Sequence, residues 1–192
     1  MTDAQGWSST ADASNPYQAF QNLMPFRVQD VLLVSSLYDS FTLQEDGRLN
    51  ELIASEFLEL SLHHTPGLTH VSSGAEALAL AKDQPRFNLI LSTLRTADME
   101  APQLAREVRR AGLDVPVVAM AYDNNERKEF VATRDVSGLD GVFLWQGNAR
   151  VLVAIVKFVE DKRNVAHDTA AMGVRVILVV EDNVRYYSSF LT

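Results

Sequence analysis

The sequence predicts an α/β chain in which short parallel strands alternate with helices in a doubly wound sheet. Three observations carry this expectation. "DVLLV" (30–34), "FNLILSTL" (87–94) and "VPVVAMA" (115–121) are short, largely apolar runs, the pattern of strands covered on both faces. Between them lie segments whose apolar residues recur at helical spacing. Capping residues, Gly and Pro punctuate the joins. Strands and helices in strict alternation pack as right-handed βαβ units around a parallel sheet.

The elements follow in order. Residues 1 to about 26 are small and polar and read as a flexible leader, with one helical turn after Pro16. Residues 30–34 form the first strand, and 38–47 a long loop. In "RLNELIASEFLELSL" the apolar positions Leu49, Ile53, Phe57 and Leu60 share a helix face, and Pro66 and Gly67 end that unit. "LTHVS" is the second strand. Ser73 followed by Glu76 is a capping box that opens a second helix, "GAEALALAKD". Residues 87–94 are the third strand. A third helix over 101–112 stops at Gly112. Residues 115–121 are the fourth strand and 124–135 a polar fourth helix. "GVFLW" (141–145) is the fifth strand, and a fifth helix spans 148–165 with Asn148 as its N-cap. Five such units give a flavodoxin-like (βα)5 sheet of strand order 2-1-3-4-5, in which ligands and chemistry belong at the carboxyl ends of the strands.

Composition narrows the function. The chain has 192 residues, 47% of them hydrophobic, no Cys and a net charge of −8. Thiolate metal sites and disulfides are excluded. The acidic balance argues against nucleic-acid binding, which needs a basic surface. No apolar run is long enough for a bilayer, and no basic segment precedes an apolar core at the start. The expectation is a cytoplasmic protein with no membrane partner.

One repeat stands out. "VQDVLLVSSL" (28–37) has a near twin in "VRVILVVEDN" (174–183), where Glu181 and Asp182 replace Ser35 and Ser36. Residues 27–165 read as one domain, 166–173 as a small-residue linker, and 174–192 as the first strand and helix start of a second, truncated copy. Too few residues follow Gly173 for a second domain, so the chain reads as a piece of a longer tandem protein.

The cadence of residues 28–165 resembles the receiver domain of response regulators. "SSGAEALALAKDQPRFNLILSTLRTADMEA", "VPVVAMAYD" and "SGLDGVFLWQGN" carry the likeness, and "VILVVEDN" is similar to a receiver's first strand and acidic pair. The resemblance implies a Mg²⁺ site of two acids after the first strand and an Asp ending the third, which takes the phosphoryl group. A Ser or Thr ending the fourth strand and a Lys ending the fifth would hold the phosphoryl oxygens. In this chain those positions fall on Ser35, Ser36, Thr93, Ala121 and Trp145, and Gln146 stands where the family usually has Pro. The metal ligands, nucleophile and charge clamp are all replaced. The expected module is therefore a pseudo-receiver: non-phosphorylatable, not an enzyme, without cofactor, acting by protein–protein contact or dimerisation within a larger two-component-type protein. The alternative is a phosphoacceptor that uses relocated acids, or one whose intact second receiver does the chemistry. A narrower likeness links residues 32–49 and 164–191 to the N-terminal regulatory part of proteins related to phosphoenolpyruvate synthase or pyruvate phosphate dikinase.

The candidate residues each have a plain reading beside the functional one. Asp39, Asp98 and Asp123 could form a displaced metal site; loop acids more often cap helices and turns. His63 and His64 suit a helix C-terminus. Glu181 and Asp182 resemble a metal pair without its third carboxylate, so no metal is expected there. Trp145 either plugs the vacated pocket or anchors an interface. "VLVAIVKFV" (151–159) is apolar nearly all round, so Val151, Ile155 and Phe158 are expected to meet a partner or a second copy, together with Ile177 and Val179 of the orphan strand. A flavin carrier on the same fold is disfavoured, because "SSLYDSFTLQ" lacks Gly for a phosphate loop.

Overall fold

The computed structural model describes residues 22–36, 49–59, 64–145 and 147–176. Five parallel strands, β1 (Asp30–Val34), β2 (Gly67–Val71), β3 (Phe87–Thr93), β4 (Val117–Ala121) and β5 (Gly141–Leu144), form one sheet in the order β2-β1-β3-β4-β5. The connecting helices are α1 (Leu49–Glu59), α2 (Gly74–Asp83), α3 (Ala101–Arg110), α4 (Asn124–Thr133) and α5 (Arg150–Met172). The expected fold class and strand order are the ones found.

Alternation along the strands builds two cores. Val31, Leu33, Leu89, Leu91, Val118 and Met120 face α1 and α5, where Ile53, Phe57, Leu152 and Ile155 meet them. Leu32, Val34, Ile90 and Val117 face the other way, against α2 and α3. Successive side chains of a strand point to opposite faces, so a run apolar at every position is what a doubly covered strand requires.

The helix signals of α2 and α3 act as read. The Ser73 side chain accepts the Glu76 N–H at 3.2 Å, and Glu76 Oε2 reaches back to the N–H of Ser72 at 3.4 Å. Gly112 follows α3 at φ 73°, a conformation that a Cβ penalises. The N-cap of α5 is Ala149 rather than the expected Asn148, whose Oδ1 still accepts the Arg150 N–H at 2.9 Å.

Two further expectations need correction. The fifth helix does not end at 165: α5 continues through the stretch 166–173 to Met172 and stops at Gly173, φ 62°. Ala and Met are strong helix formers, so small size did not mean a break. Nor is the leader free throughout, because Met24 and Phe26 are bonded to α5. The helical turn expected after Pro16 lies outside the described residues, as do residues 177–192. Among the described residues no helix is long and apolar enough to cross a membrane.

Candidate functional site at the strand ends

The carboxyl ends of β1, β3, β4 and β5 lie side by side. Val34 pairs with Ser92, Thr93 with Met120, and Ala121 with Leu144. The five positions singled out from the sequence therefore share one edge of the sheet, each at a strand's last residue or just beyond it.

The side chains of Ser35 and Thr93 are hydrogen-bonded, and those of Ala121 and Trp145 are buried. Ser35 is fully buried; its N–H donates to Val71 O at 3.1 Å, and its hydroxyl lies 3.0 Å from His70 Nε2. The same nitrogen is 3.2 Å from the Ser35 carbonyl oxygen, which ties the end of β1 to the edge strand β2. Ser36 is half-buried. Ser92 donates its hydroxyl to Thr93 O at 2.8 Å, and Thr93 donates its own to Arg95 O at 2.8 Å. Ala121 is buried beside Phe130 and Leu144. Trp145 extends β5 by one bond, its N–H donating to Ala121 O at 2.8 Å, and its ring is 5% exposed within the α1/α5 core.

The acids of the neighbouring loops serve the backbone. Asp98 accepts the N–H groups of Gly74 (2.7 Å) and Ala75 (2.9 Å) and the Thr96 hydroxyl (3.0 Å). Burial would raise its carboxyl, but the Ala75, Gly74 and Thr96 bonds outweigh that and hold it below the usual range. Asp123 caps α4, accepting from Asn125 at 2.7 Å and Glu126 at 3.2 Å. Each acid thus does the plain work of a cap, and they do so on different helices. His64 is exposed; His63, Asp39, Glu181 and Asp182 lie outside the described residues. No three His, Asp or Glu side chains among the described residues come together as a metal set.

A receiver-type Mg²⁺ does not fit the residues at the strand ends. A hard divalent cation takes carboxylate and carbonyl oxygens. Ser35 and Thr93 offer hydroxyls already engaged with His70 and Arg95 O, Ser36 offers a hydroxyl in place of a carboxylate, Ala121 a methyl group and Trp145 an indole.

The expected interface residues divide. Val151 and Ile155 are buried in the chain's own core, and Trp145 with them. Phe158 is partly buried, edge-on to Phe143 at 5.4 Å between ring centres. The second apolar face of α5 is covered from within, by Ile53 and Phe57 of α1 and by Phe26 and Val28. Ile177 and Val179 lie outside the described residues. Sequence reading missed that cover, although Glu160, Asn164 and Asp168, one helical turn apart, are a polar stripe on α5 that signals it.

No family model matches the chain, and no curated protein does. Solved structures do. The signal receiver domain of an HD domain-containing protein from Pseudomonas fluorescens Pf-5 aligns over 74% of this chain and 94% of its own, with TM-score 0.53 and 16% identity. The N-terminal domain of a response regulator/sensory box/GGDEF 3-domain protein from Carboxydothermus hydrogenoformans aligns over 72% and 99%, with TM-score 0.51 and 15% identity. The signal receiver domain of a putative Luxo repressor protein from Vibrio parahaemolyticus aligns over 76% and 98%, with TM-score 0.50 and 17% identity. At such identities the likeness concerns the backbone: this chain carries the fold of response-regulator receiver domains.

Proposed function

We propose that this chain is a receiver-fold signalling module that does not take a phosphoryl group and works by contact with other protein. The observation that carries the reading is the content of the sheet's carboxyl edge. A phosphoryl acceptor needs a nucleophile, a metal to neutralise charge and a cation to hold the transferred oxygens. Thr93 has its hydroxyl bonded to Arg95 O, and Trp145 occupies the end of β5 as a buried indole. The relocated-acid alternative loses support because Asp98 and Asp123 are both spent on helix caps.

Incubating the chain with acetyl phosphate and Mg²⁺ and weighing it by intact-mass spectrometry tests the proposal. The expected result is unchanged mass. An adduct of one phosphate that hydroxylamine removes would overturn it, because that lability marks an acyl phosphate.

The contacting surface is proposed to lie at the end of α5 and the segment after it. Val165, Val174 and Val176 are exposed there, whereas Val151 and Ile155 are committed to the core. The module is proposed to act in the cytoplasm, as the regulatory part of a larger two-component-type protein related to phosphoenolpyruvate synthase or pyruvate phosphate dikinase.

A further inference from the structure

Residues 24–29 run as a strap between two sets of side chains. On one side, alternate N–H groups meet α5. Val28 donates to Glu160 Oε1 at 3.0 Å, Phe26 to Asn164 Oδ1 at 2.9 Å, and Met24 to Asp168 Oδ1 and Oδ2 at 3.0 and 3.3 Å. Asn164 Nδ2 returns a bond to Phe26 O at 2.7 Å, so this amide grips one residue through both backbone groups. On the other side Asn88 of β3 holds Arg27 O and, at 2.9 Å, the Gln29 N–H. The strap is held like a strand whose neighbours are side chains. The spacings match: every second residue of an extended chain meets every fourth residue of a helix, since both advance by roughly 6 Å.

The strap sits where α5 leaves the core. Asn164 is the last fully buried residue of α5, and 165–172 are exposed or half-buried. Arg163 stacks over the Phe26 ring at 5.6 Å, and Phe26 packs on the α1/α5 core. At its far end Met24 holds φ 54° immediately before Pro25, a left-handed conformation that a side chain disfavours and that persists only where surrounding bonds enforce it. The two bonds to Asp168 supply that enforcement. Asp168 is itself held by His167 Nδ1 at 2.9 Å.

We propose that residues 24–28 are a latch on α5: when seated, the strap orders the last two turns of the helix, and when lifted, it frees them. The device couples Met24–Val28 to the end of α5. The three acceptors are the receiving half of the latch and the alternate N–H groups the inserted half.

Hydrogen–deuterium exchange on the intact chain tests this, in the wild type, Asn164→Ala and Asp168→Ala. Asn164→Ala is expected to speed exchange at least tenfold at Phe26 and Val28 and also across 166–173, with Leu89–Leu91 of β3 unchanged. If 24–28 loosen while 166–173 keep their protection, strap and helix are not coupled and the proposal fails. It fails equally if neither segment changes. Should Asn164→Ala loosen the whole domain, Asp168→Ala decides by the same comparison, since its half-exposed site leaves the core intact: loss of protection at both Met24 and 166–173 supports the latch, and loss at Met24 alone overturns it.

Discussion

The carboxylate of Asp98 accepts the backbone N–H of Gly74 at 2.7 Å, so the loop after β3 caps the helix that follows β2. A Cβ at Gly74 would lie 2.5 Å from Met99 Sδ, which is how closely the two segments meet. Two N–H groups at the start of α2 are left by the helix itself and satisfied here.

Removing this cap should cost about 1 kcal/mol, the usual worth of an acidic cap. Asp98→Ala is expected to lower the urea midpoint at pH 7. The sign with pH follows from the carboxyl being held below its usual range in the fold. Such a group stabilises above its unfolded value and loses that contribution as pH falls through the folded one. The gap between wild type and variant should therefore narrow at pH 3. A gap of constant size would assign the loss to packing instead.

Trp145→Ala should destabilise the domain by about 3–5 kcal/mol, as for other buried large aromatics. Denaturant unfolding measures it. A stable variant with altered sedimentation would instead make Trp145 an interface anchor.

Millimolar Mg²⁺ should leave the melting temperature unchanged. A true site filled a hundredfold above its Kd would add about 2.7 kcal/mol to stability. A rise that disappears in Asp98→Asn or Asp123→Asn would restore the relocated-acid reading.

The full chain is expected to sediment as a dimer and a version ending at Gly173 as a monomer, since Val174 and Val176 are exposed ahead of a further apolar run. Dimers of both would move the contact onto the sheet domain, and two monomers would remove self-association.

What was legible in the sequence was local. Apolar runs such as "DVLLV" fix their own burial, and Ser73 with Glu76 announces a helix start within four residues. Asp123 was readable as a cap because it directly precedes the helix it caps, whereas Asp98 caps α2 from 24 positions away in sequence, a pairing that only the fold makes. The strap was not readable in this way. Its bonds to α5 join residues more than 130 positions apart, Phe26 to Asn164 among them, and "NLMPFRV" by itself shows neither strand nor helix periodicity. The end of α5 was misplaced for a related reason. "AHDTAAM" is compatible with a helix or a spacer, and the Asp168–Met24 bonds that help hold it as helix are invisible until the fold is closed.

The indole at the end of β5 also makes the fold observable by light. The chain has two Trp residues, and Trp7 lies outside the described residues. With Trp7 replaced by Phe, all indole emission would come from Trp145. A ring sealed among aliphatic side chains emits towards the blue and resists collisional quenchers, and one exposed to water does neither. The position where the resembled family would carry a Lys thus becomes a built-in fluorophore. Its colour would report whether the carboxyl edge of the sheet is shut or open, in real time and without an attached dye.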